Sequence, residues 1–469
     1  MWLLGGEPDS VAVVAGGETV TYGELGRLVD EFARRYLGRE GTLVAIVAER
    51  NLRTVVAYLA AYATPSTVVL VDPTTGPDGV RQTIEAYEPQ LVVGARSLDD
   101  DLYREAEPGH WVRRGDGVSG TTSTKLIMLT SGSVGVPKGV ALGEAGVRAN
   151  ALATVDRLGL HPGDRGITSL PLHYAYGLSV LHSVLAAGGS LLVTEHRPTS
   201  RRLWTAVATG GVTHLAGVSL MYELLRDLFA RSWPESLRQL THSGGRLAPE
   251  LQRHYLDLAV RHDARFFLMY GQTELMTRIS AFDLTRRPDK LGSVGVPLDG
   301  IEVTADDGEL VVRSPSVMQG YVDSASAVKD LERAQRPRGF HRTGDLGTVD
   351  DDGFVWITGR VSRTVKQYGR RVSLDEIEAF LQDAGTMAVI GSDTEIVLCV
   401  AEYEGDPHEL VARTARAVRL PPAALSVVPV PEIPRTSRGK VDYPALTSLV
   451  ASLRERPARP SPDTRKEPV

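Results

Sequence analysis

Hydrophobic positions fall into repeated blocks along the chain. Thr42 to Val47 (TLVAIV) and Thr67 to Val71 (TVVLV) each follow a threonine with a continuous apolar run and read as strands, the first as a buried one. Leu52 to Tyr62 and Gly79 to Tyr87 read as helices, and Leu91 to Val93 as a further strand. The alternation returns with a strand at Leu191 to Thr194, a helix near Arg201 to Ala208 and a helix from Ser219 to Ala230. This predicts an α/β fold, a large N-terminal domain of mixed sheets flanked by helices. Strands dominate between Gly295 and Trp356, with Asp-Gly pairs at 307–308 and 352–353 that suit hairpin turns, so the large domain should carry a β-rich part. The pattern changes at Gly359-Arg360-Val361-Ser362. Beyond it a helix at Leu374 to Leu381, a strand at Glu395 to Glu402 and a helix at His408 to Val418 predict a small α+β unit. The expected layout is a large domain over 1–359, a small domain over 360–453, and a charged, Pro-rich tail over 454–469 expected to be disordered.

Bulk properties narrow the class. At 469 residues the chain exceeds one typical domain. A net charge of −6 argues against a general nucleic-acid-binding surface. Cys399 is the single cysteine, which excludes an internal disulfide, suits a reducing compartment and reads as a buried strand residue. The opening MWLLGGEPDS lacks a basic region and a long apolar run, so no signal peptide is expected. No apolar stretch approaches the roughly 18 residues of a membrane span. A cytoplasmic protein is expected.

Candidate chemistry begins at Lys125 to Leu142, KLIMLTSGSVGVPKGVAL. An apolar run breaks into a Gly- and hydroxyl-rich turn and resumes, so the flanks read as strands. Gly132 and Gly135 let backbone N–H groups approach a ligand, Thr130, Ser131 and Ser133 add donors, and Lys138 adds a charge, a set that suits phosphate. Alone, the same residues fit an ordinary hairpin. Further segments follow in order: Gly244-Gly245-Arg246 in THSGGRLAPE, Tyr270-Gly271-Gln272-Thr273-Glu274, Arg342-Thr343-Gly344-Asp345, Gly359-Arg360 and Pro434-Arg435-Thr436-Ser437-Arg438-Gly439-Lys440. Five such segments in order, with Thr19-Val20-Thr21-Tyr22-Gly23-Glu24-Leu25 near the start, resemble the adenylate-forming superfamily of acyl-CoA synthetases, stand-alone adenylation domains and luciferases. The resemblance covers nearly the whole chain.

The resemblance implies attack of a substrate carboxylate on the ATP α-phosphate, with Mg²⁺ bridging phosphates and pyrophosphate leaving. The small domain would be mobile and carry the catalytic Lys440, which without the motif would read as a solvated surface lysine. Only 7 of the 52 basic residues are lysines, and two of the seven, Lys138 and Lys440, fall in these loops. By resemblance Tyr270 and Gly271 meet adenine, Thr273 the α-phosphate, Glu274 the Mg²⁺ and Asp345 both ribose hydroxyls, with Arg360 assisting at ribose or phosphate. Asp345 alone would read as a turn residue. Gly244 and Gly245 should let backbone pack on adenine or the acyl group. Lys366 and Gly369 match the segment that enters the site in a second half-reaction; a plain hairpin is the other reading.

The substrate pocket should include His173, Tyr174, Ala175, Gly177, Arg246 and Gln272, with Arg246 open between substrate contact and solvated charge. Ala175 stands near the place where amino-acid-activating relatives carry an aspartate, and no acidic residue lies between 165 and 194. This argues against an α-amino acid and for an acid with an apolar or aromatic body. Val134 replaces a common hydroxyl residue of the phosphate loop, and Ser362 replaces a charged hinge residue. Beside a luciferase-type oxidase, which the motifs do not exclude, three functions are weighed: acyl transfer to a thiol, either CoA or the pantetheine of a carrier protein supplied in trans; transfer to an amine or another small nucleophile; or, finally, a silent AMP-binding protein. The last conflicts with the retention of Lys440, Glu274, Thr273 and Asp345.

Overall fold

The computed structural model describes residues 1–38, 41–99, 101–115, 123–130, 138–198, 200–333, 339–367, 370–381, 385–392, 394–418, 420–436 and 439–455. The chain divides into two compact units, Met1–Ile357 and Thr358–Val469. The first holds two large sheets. One has eight strands in the order Gly320–Val322, Lys138–Leu142, Leu126–Thr130, Ser66–Val71, Thr42–Val47, Leu91–Val93, His110–Arg113 and Tyr103–Glu107. The other has nine, with a parallel centre in which Arg265–Tyr270, Gln239–His242, His214–Gly217 and Arg165–Ile167 are neighbours. Thr42–Val47 and Ser66–Val71 are buried at every position, their apolar runs entered through Thr42 and through Ser66-Thr67.

Helices from the two sheets meet. Leu52–Ala63 and Ala175–Ala186 are each apolar almost all round, and Tyr58 on the first bonds His182 on the second (Oη···Nε2 2.6 Å). A helix buried on all sides belongs between layers rather than at the surface. Burial pushes the His182 imidazole down to about 3, with the Arg278 charge adding to the shift, so the ring is neutral.

Most predicted elements are present. The helix expected from Gly79 begins at Gly76, because a proline in the first helical turn needs no N–H partner and Pro77 sits there. The Asp307-Gly308 pair forms the expected two-residue hairpin between Glu302–Asp306 and Glu309–Arg313, both residues having positive φ. Asp352-Gly353 instead lies in a longer connection, where the Asp350 carboxylate accepts the N–H groups of Asp352 and Phe354. The strands Tyr103–Glu107 and His110–Arg113 were not legible in the apolar pattern.

The second unit has a three-stranded sheet of Thr386–Gly391, Ile396–Ala401 and Leu425–Pro429, a hairpin of Thr364–Gln367 with Arg370–Ser373, and helices Leu374–Phe380, Pro407–Val418 and Tyr443–Glu455. Cys399 is fully buried in the central strand. Among the described residues no helix is long and apolar enough to cross a membrane.

Candidate active site

In open parallel sheets, ligand sites form where loops leave the carboxyl ends of neighbouring strands. Gln239–His242 and Arg265–Tyr270 are such neighbours, and their loops carry Gly244-Gly245 and Gly271 to Glu274. Gly244 has φ +91, and a Cβ there would lie 2.4 Å from the Tyr174 hydroxyl, so only glycine fits. Gly271 is tighter, since a Cβ would fall 1.0 Å from the carbonyl oxygen of Thr277. The loop therefore folds back on itself, with Met276 at φ +50 and Thr277 at φ +91. For a β-branched residue the latter is strained, and such strain marks a segment held for its geometry.

The Tyr270 hydroxyl donates to Asp345 Oδ2 at 2.5 Å, and Gln272 Nε2 donates to the same oxygen at 2.6 Å and to the Thr343 carbonyl at 2.8 Å. Asp345 is 2% exposed. Its turn is built by Thr343 Oγ1, which accepts the Asp345 N–H, and by Gly344, whose N–H goes to Glu309. Gln272, expected in the substrate pocket, gives its amide N–H groups to Asp345 and Thr343, because the loop turns that side chain toward Thr343. His341 Nε2 lies 3.3 Å from Gln272 Oε1, and burial lowers its pKa against the opposing charges of Glu274, Glu309 and Asp345. Arg342 points elsewhere, pairing with Glu309 and Asp306 at 2.6 Å each.

Glu274 Oε1 accepts the Tyr321 hydroxyl at 2.9 Å, and Lys138 Nζ sits 3.5 Å from the Tyr321 ring centroid. Burial and the Glu274 charge both push the Tyr321 phenol up, so it donates rather than ionises. Thr130 Oγ1 donates to the Lys138 carbonyl, and the two residues pair across the expected strands. A hard cation and its phosphates need one or two carboxylates, and Glu274 is a donor of that kind. Among the described residues no group of three His, Cys, Asp or Glu could hold a metal by itself. Ser131, Gly132, Ser133, Val134, Gly135 and Gly369 lie outside the described residues, as does the Lys366 side chain.

On the acyl side, Ala175 opens the helix Ala175–Ala186 and is 3% exposed. His173 is buried and bonds Asp72 (Nε2–Oδ2 3.2 Å), a partner a hundred residues earlier that sequence reading missed. Burial opposes the Asp72 charge, but His173 and the Thr74 hydroxyl and N–H outweigh it and hold the carboxyl well below its usual range. Gly177 has a packing duty: a Cβ would lie 2.2 Å from the Pro171 carbonyl. Arg246 is exposed, and its carbonyl accepts Ser219 Oγ at 2.9 Å. Arg278 was also missed; it lies 1% exposed beside Tyr176 and Ser179 of this helix. An arginine inside the run TRISAF was the available signal.

In the second unit Lys440 is exposed on a tight loop. Thr436 N–H donates to the Lys440 carbonyl at 2.7 Å, Gly439 N–H to the Thr436 carbonyl at 2.8 Å, and Gly439 takes φ +77. Arg360 is exposed at the start of the turn Val361–Arg363, and its carbonyl accepts Thr364 Oγ1. Arg363, next to Ser362, is anchored by Asp375, by Glu378 at 2.8 Å and by the Tyr443 ring at 3.7 Å.

Comparison with known proteins bears on these residues. The chain is 24% identical over 455 residues to the 2-succinylbenzoate–CoA ligase of Listeria monocytogenes, covering 92% of this chain and 95% of that one. It is 28% identical over 409 residues to the enzyme of the same name from Bacillus licheniformis, covering 82% and 83%. Its fold matches o-succinylbenzoate CoA synthetase from Bacillus subtilis in complex with an acyl-adenylate intermediate (TM-score 0.75, 22% identity, 100% and 99% covered). It also matches the amide bond synthetase McbA from Marinactinospora thermotolerans (TM-score 0.75, 22% identity, 95% and 98% covered). The family model described as AMP-binding enzyme matches residues 4–322, and with the ordered segments from Thr130 to Glu274 inside that span, the chain belongs to the AMP-binding, adenylate-forming family.

Proposed function

We propose that this protein activates a carboxylic acid with ATP as an acyl-adenylate and then transfers the acyl group to a thiol, CoA or a carrier-protein pantetheine. The observation that carries the reading is the convergence of Tyr270, Gln272 and Asp345 in one hydrogen-bonded cluster, on the loop that also carries Thr273 and Glu274. A buried carboxylate beside an aromatic ring fits a ribose diol beside a base. In the first step a substrate carboxylate oxygen bonds to the α-phosphorus and the bond to pyrophosphate breaks. In the second a thiolate adds to the acyl carbon, AMP leaves, and the thiol proton passes to solvent. Glu274 would hold a Mg²⁺ that arrives with ATP, and that cation would screen the phosphate charge. Thr273 offers a hydroxyl to the α-phosphate, Lys138 a cation to the outer phosphates, and Lys440 a cation to the carboxylate and α-phosphate. Arg360 assists at ribose or phosphate. Catalysis then rests on positioning and preorganised charge.

The acid has an apolar or aromatic body and is not an ordinary α-amino acid. Ala175 offers no counter-charge for an ammonium, and the buried Arg278 guanidinium beside the same helix repels one. The CoA-ligase relatives, matched over 95% and 83% of their length, support a thiol acceptor. The likeness to an amide bond synthetase supports a second reading, transfer to an amine, with the uncharged Ser362 at the hinge position as a trace of altered rotation. Incubating the enzyme with ATP, a panel of acids and each of CoA, a pantetheinylated carrier and small amines, with products read by mass spectrometry, tests both. Acid-dependent AMP and thioester carry the first reading, and AMP with amide and no thioester carries the second. A protein that releases neither pyrophosphate nor AMP with any acid is not an adenylating enzyme.

A further inference from the structure

Lys138 and Glu274 carry opposite charges, and one side chain holds both. Lys138 Nζ lies 3.5 Å from the Tyr321 ring centroid, and the Tyr321 hydroxyl donates to Glu274 Oε1 at 2.9 Å. The ammonium therefore rests on the ring and the carboxylate at the hydroxyl, and among the described residues no ion pair joins the two. Lys138 is exposed and Glu274 only half-buried. Both have flexible stems, so with nothing between them an ammonium and a carboxylate this near would pair.

The main chain fixes the phenol in that place. Gly320–Val322 is an edge strand of the eight-stranded sheet and runs antiparallel to Lys138–Leu142, with Tyr321 opposite Val140 and Val322 opposite Gly139. The Tyr87 hydroxyl donates to the Val322 carbonyl at 3.0 Å, and Gln319 N–H donates to the Ala141 carbonyl at 2.8 Å. On its other side Met318 N–H donates to the Glu274 carbonyl at 2.8 Å. The segment that bears Tyr321 is thus bonded both to the strand that opens with Lys138 and to the turn Thr273–Leu275. Tyr321 itself is 41% exposed, so its side chain adds little to the core and faces the place where these loops meet water.

We propose that Tyr321 is a positioning residue that holds Lys138 and Glu274 apart, so that the nucleotide phosphates meet an ammonium, and the metal a carboxylate, that are not already paired with each other. This rests on the adenylation reading, in which those two residues face phosphate and Mg²⁺, and deepens it. An ammonium resting on a ring keeps N–H donors on its other side for a phosphate oxygen. An ammonium paired with Glu274 is neutralised, and ATP would have to break that pair before binding.

The test is calorimetric titration of the full chain with ATP in EDTA, which reads the lysine without the metal. Tyr321→Leu removes ring and hydroxyl and should weaken metal-free ATP binding by about five-fold, the worth of one exposed ion pair. Tyr321→Met, equally without a ring, gives the same comparison independently. Tyr321→Phe keeps the ring and should bind as wild type does. In a Glu274→Gln background Tyr321→Leu should have no effect, because no carboxylate is left to capture Lys138. Thermal melts check that each variant folds. Leucine and methionine variants that bind ATP as tightly as wild type overturn the proposal. An equal loss in the Glu274→Gln background assigns Tyr321 to structure, and an equal loss in Tyr321→Phe assigns the effect to the hydroxyl; either result overturns it, as does a wild type that binds ATP only with Mg²⁺. Acid-dependent pyrophosphate release by wild type is measured alongside. With release present, each of these failures leaves adenylation standing; a wild type that neither binds ATP nor releases pyrophosphate overturns both readings.

Discussion

Asp345→Ala separates nucleotide recognition from the rest of the site, and its size follows from the geometry. The carboxylate is 2% exposed and accepts the Tyr270 hydroxyl at 2.5 Å and Gln272 Nε2 at 2.6 Å. Alanine deletes both bonds. Gln272 keeps the Thr343 carbonyl at 2.8 Å, while Tyr270, 7% exposed, loses its short bond at a cost of about 1–3 kcal/mol in stability. If the carboxylate also accepts both ribose hydroxyls, two charge-assisted bonds worth about 1.5–3 kcal/mol each leave the bound state. ATP should then bind about 10²–10⁴-fold more weakly. Asp345→Asn keeps one oxygen acceptor and should fall between the two. Calorimetric titration with ATP and with 2′,3′-dideoxy-ATP gives the decisive contrast. Wild type should discriminate strongly between the two nucleotides, and the alanine variant hardly at all. A wild type that binds both nucleotides equally, or an alanine variant that still discriminates, refutes the assignment of Asp345 to the ribose.

Three further outcomes are expected. Lys440→Ala should slow acyl-adenylate formation by about 10²–10³-fold while sparing ATP affinity and acyl transfer from preformed adenylate, because its loop is closed by main-chain bonds that alanine retains; single-turnover pyrophosphate and thioester kinetics check this. Ala175→Asp should abolish turnover of the native acid with ATP affinity unchanged, since it buries an unpaired carboxylate at a 3% exposed position, and a variant with wild-type turnover would remove Ala175 from the pocket. Burial lowers His182 and His242 to about 3 and His214 to about 4, so all three are neutral in the folded protein and would take up protons on unfolding below the usual histidine pKa of about 6.5. Their contribution is complete above that pH and is lost as pH falls toward 4, so denaturant midpoints should drop steeply between pH 6.5 and 5; a flat profile there would show that these rings are not buried neutral.

The order and kind of the elements were legible because apolar runs and turn residues are local signals. The apolar run Leu43 to Val47 has little choice but a strand buried on both faces, and Asp307-Gly308 supplies the two positive φ angles a tight hairpin needs. Family membership was legible for a related reason: Tyr270 to Glu274 and Thr343 to Asp345 are short segments whose chemistry is carried by adjacent residues. Gly271 was legible as part of that motif, but the obstacle that makes it a required glycine, the carbonyl of Thr277, appears only when the loop folds back.

What only the tertiary structure decided concerns partners far apart in sequence. Asp72 meets His173, Tyr321 meets Glu274, and Asn150 clamps Arg278 because the order of strands in the two sheets brings their loops and helices together, and no local pattern encodes that order. Gly177 has a requirement that its sequence neighbours do not reveal: a Cβ there would meet the Pro171 carbonyl. Arg278 shows the limit most sharply. In sequence its place inside TRISAF is the one hint, and an arginine's default place is in water. Its burial with no carboxylate partner among the described residues is a property of the packed layers rather than of the residue itself.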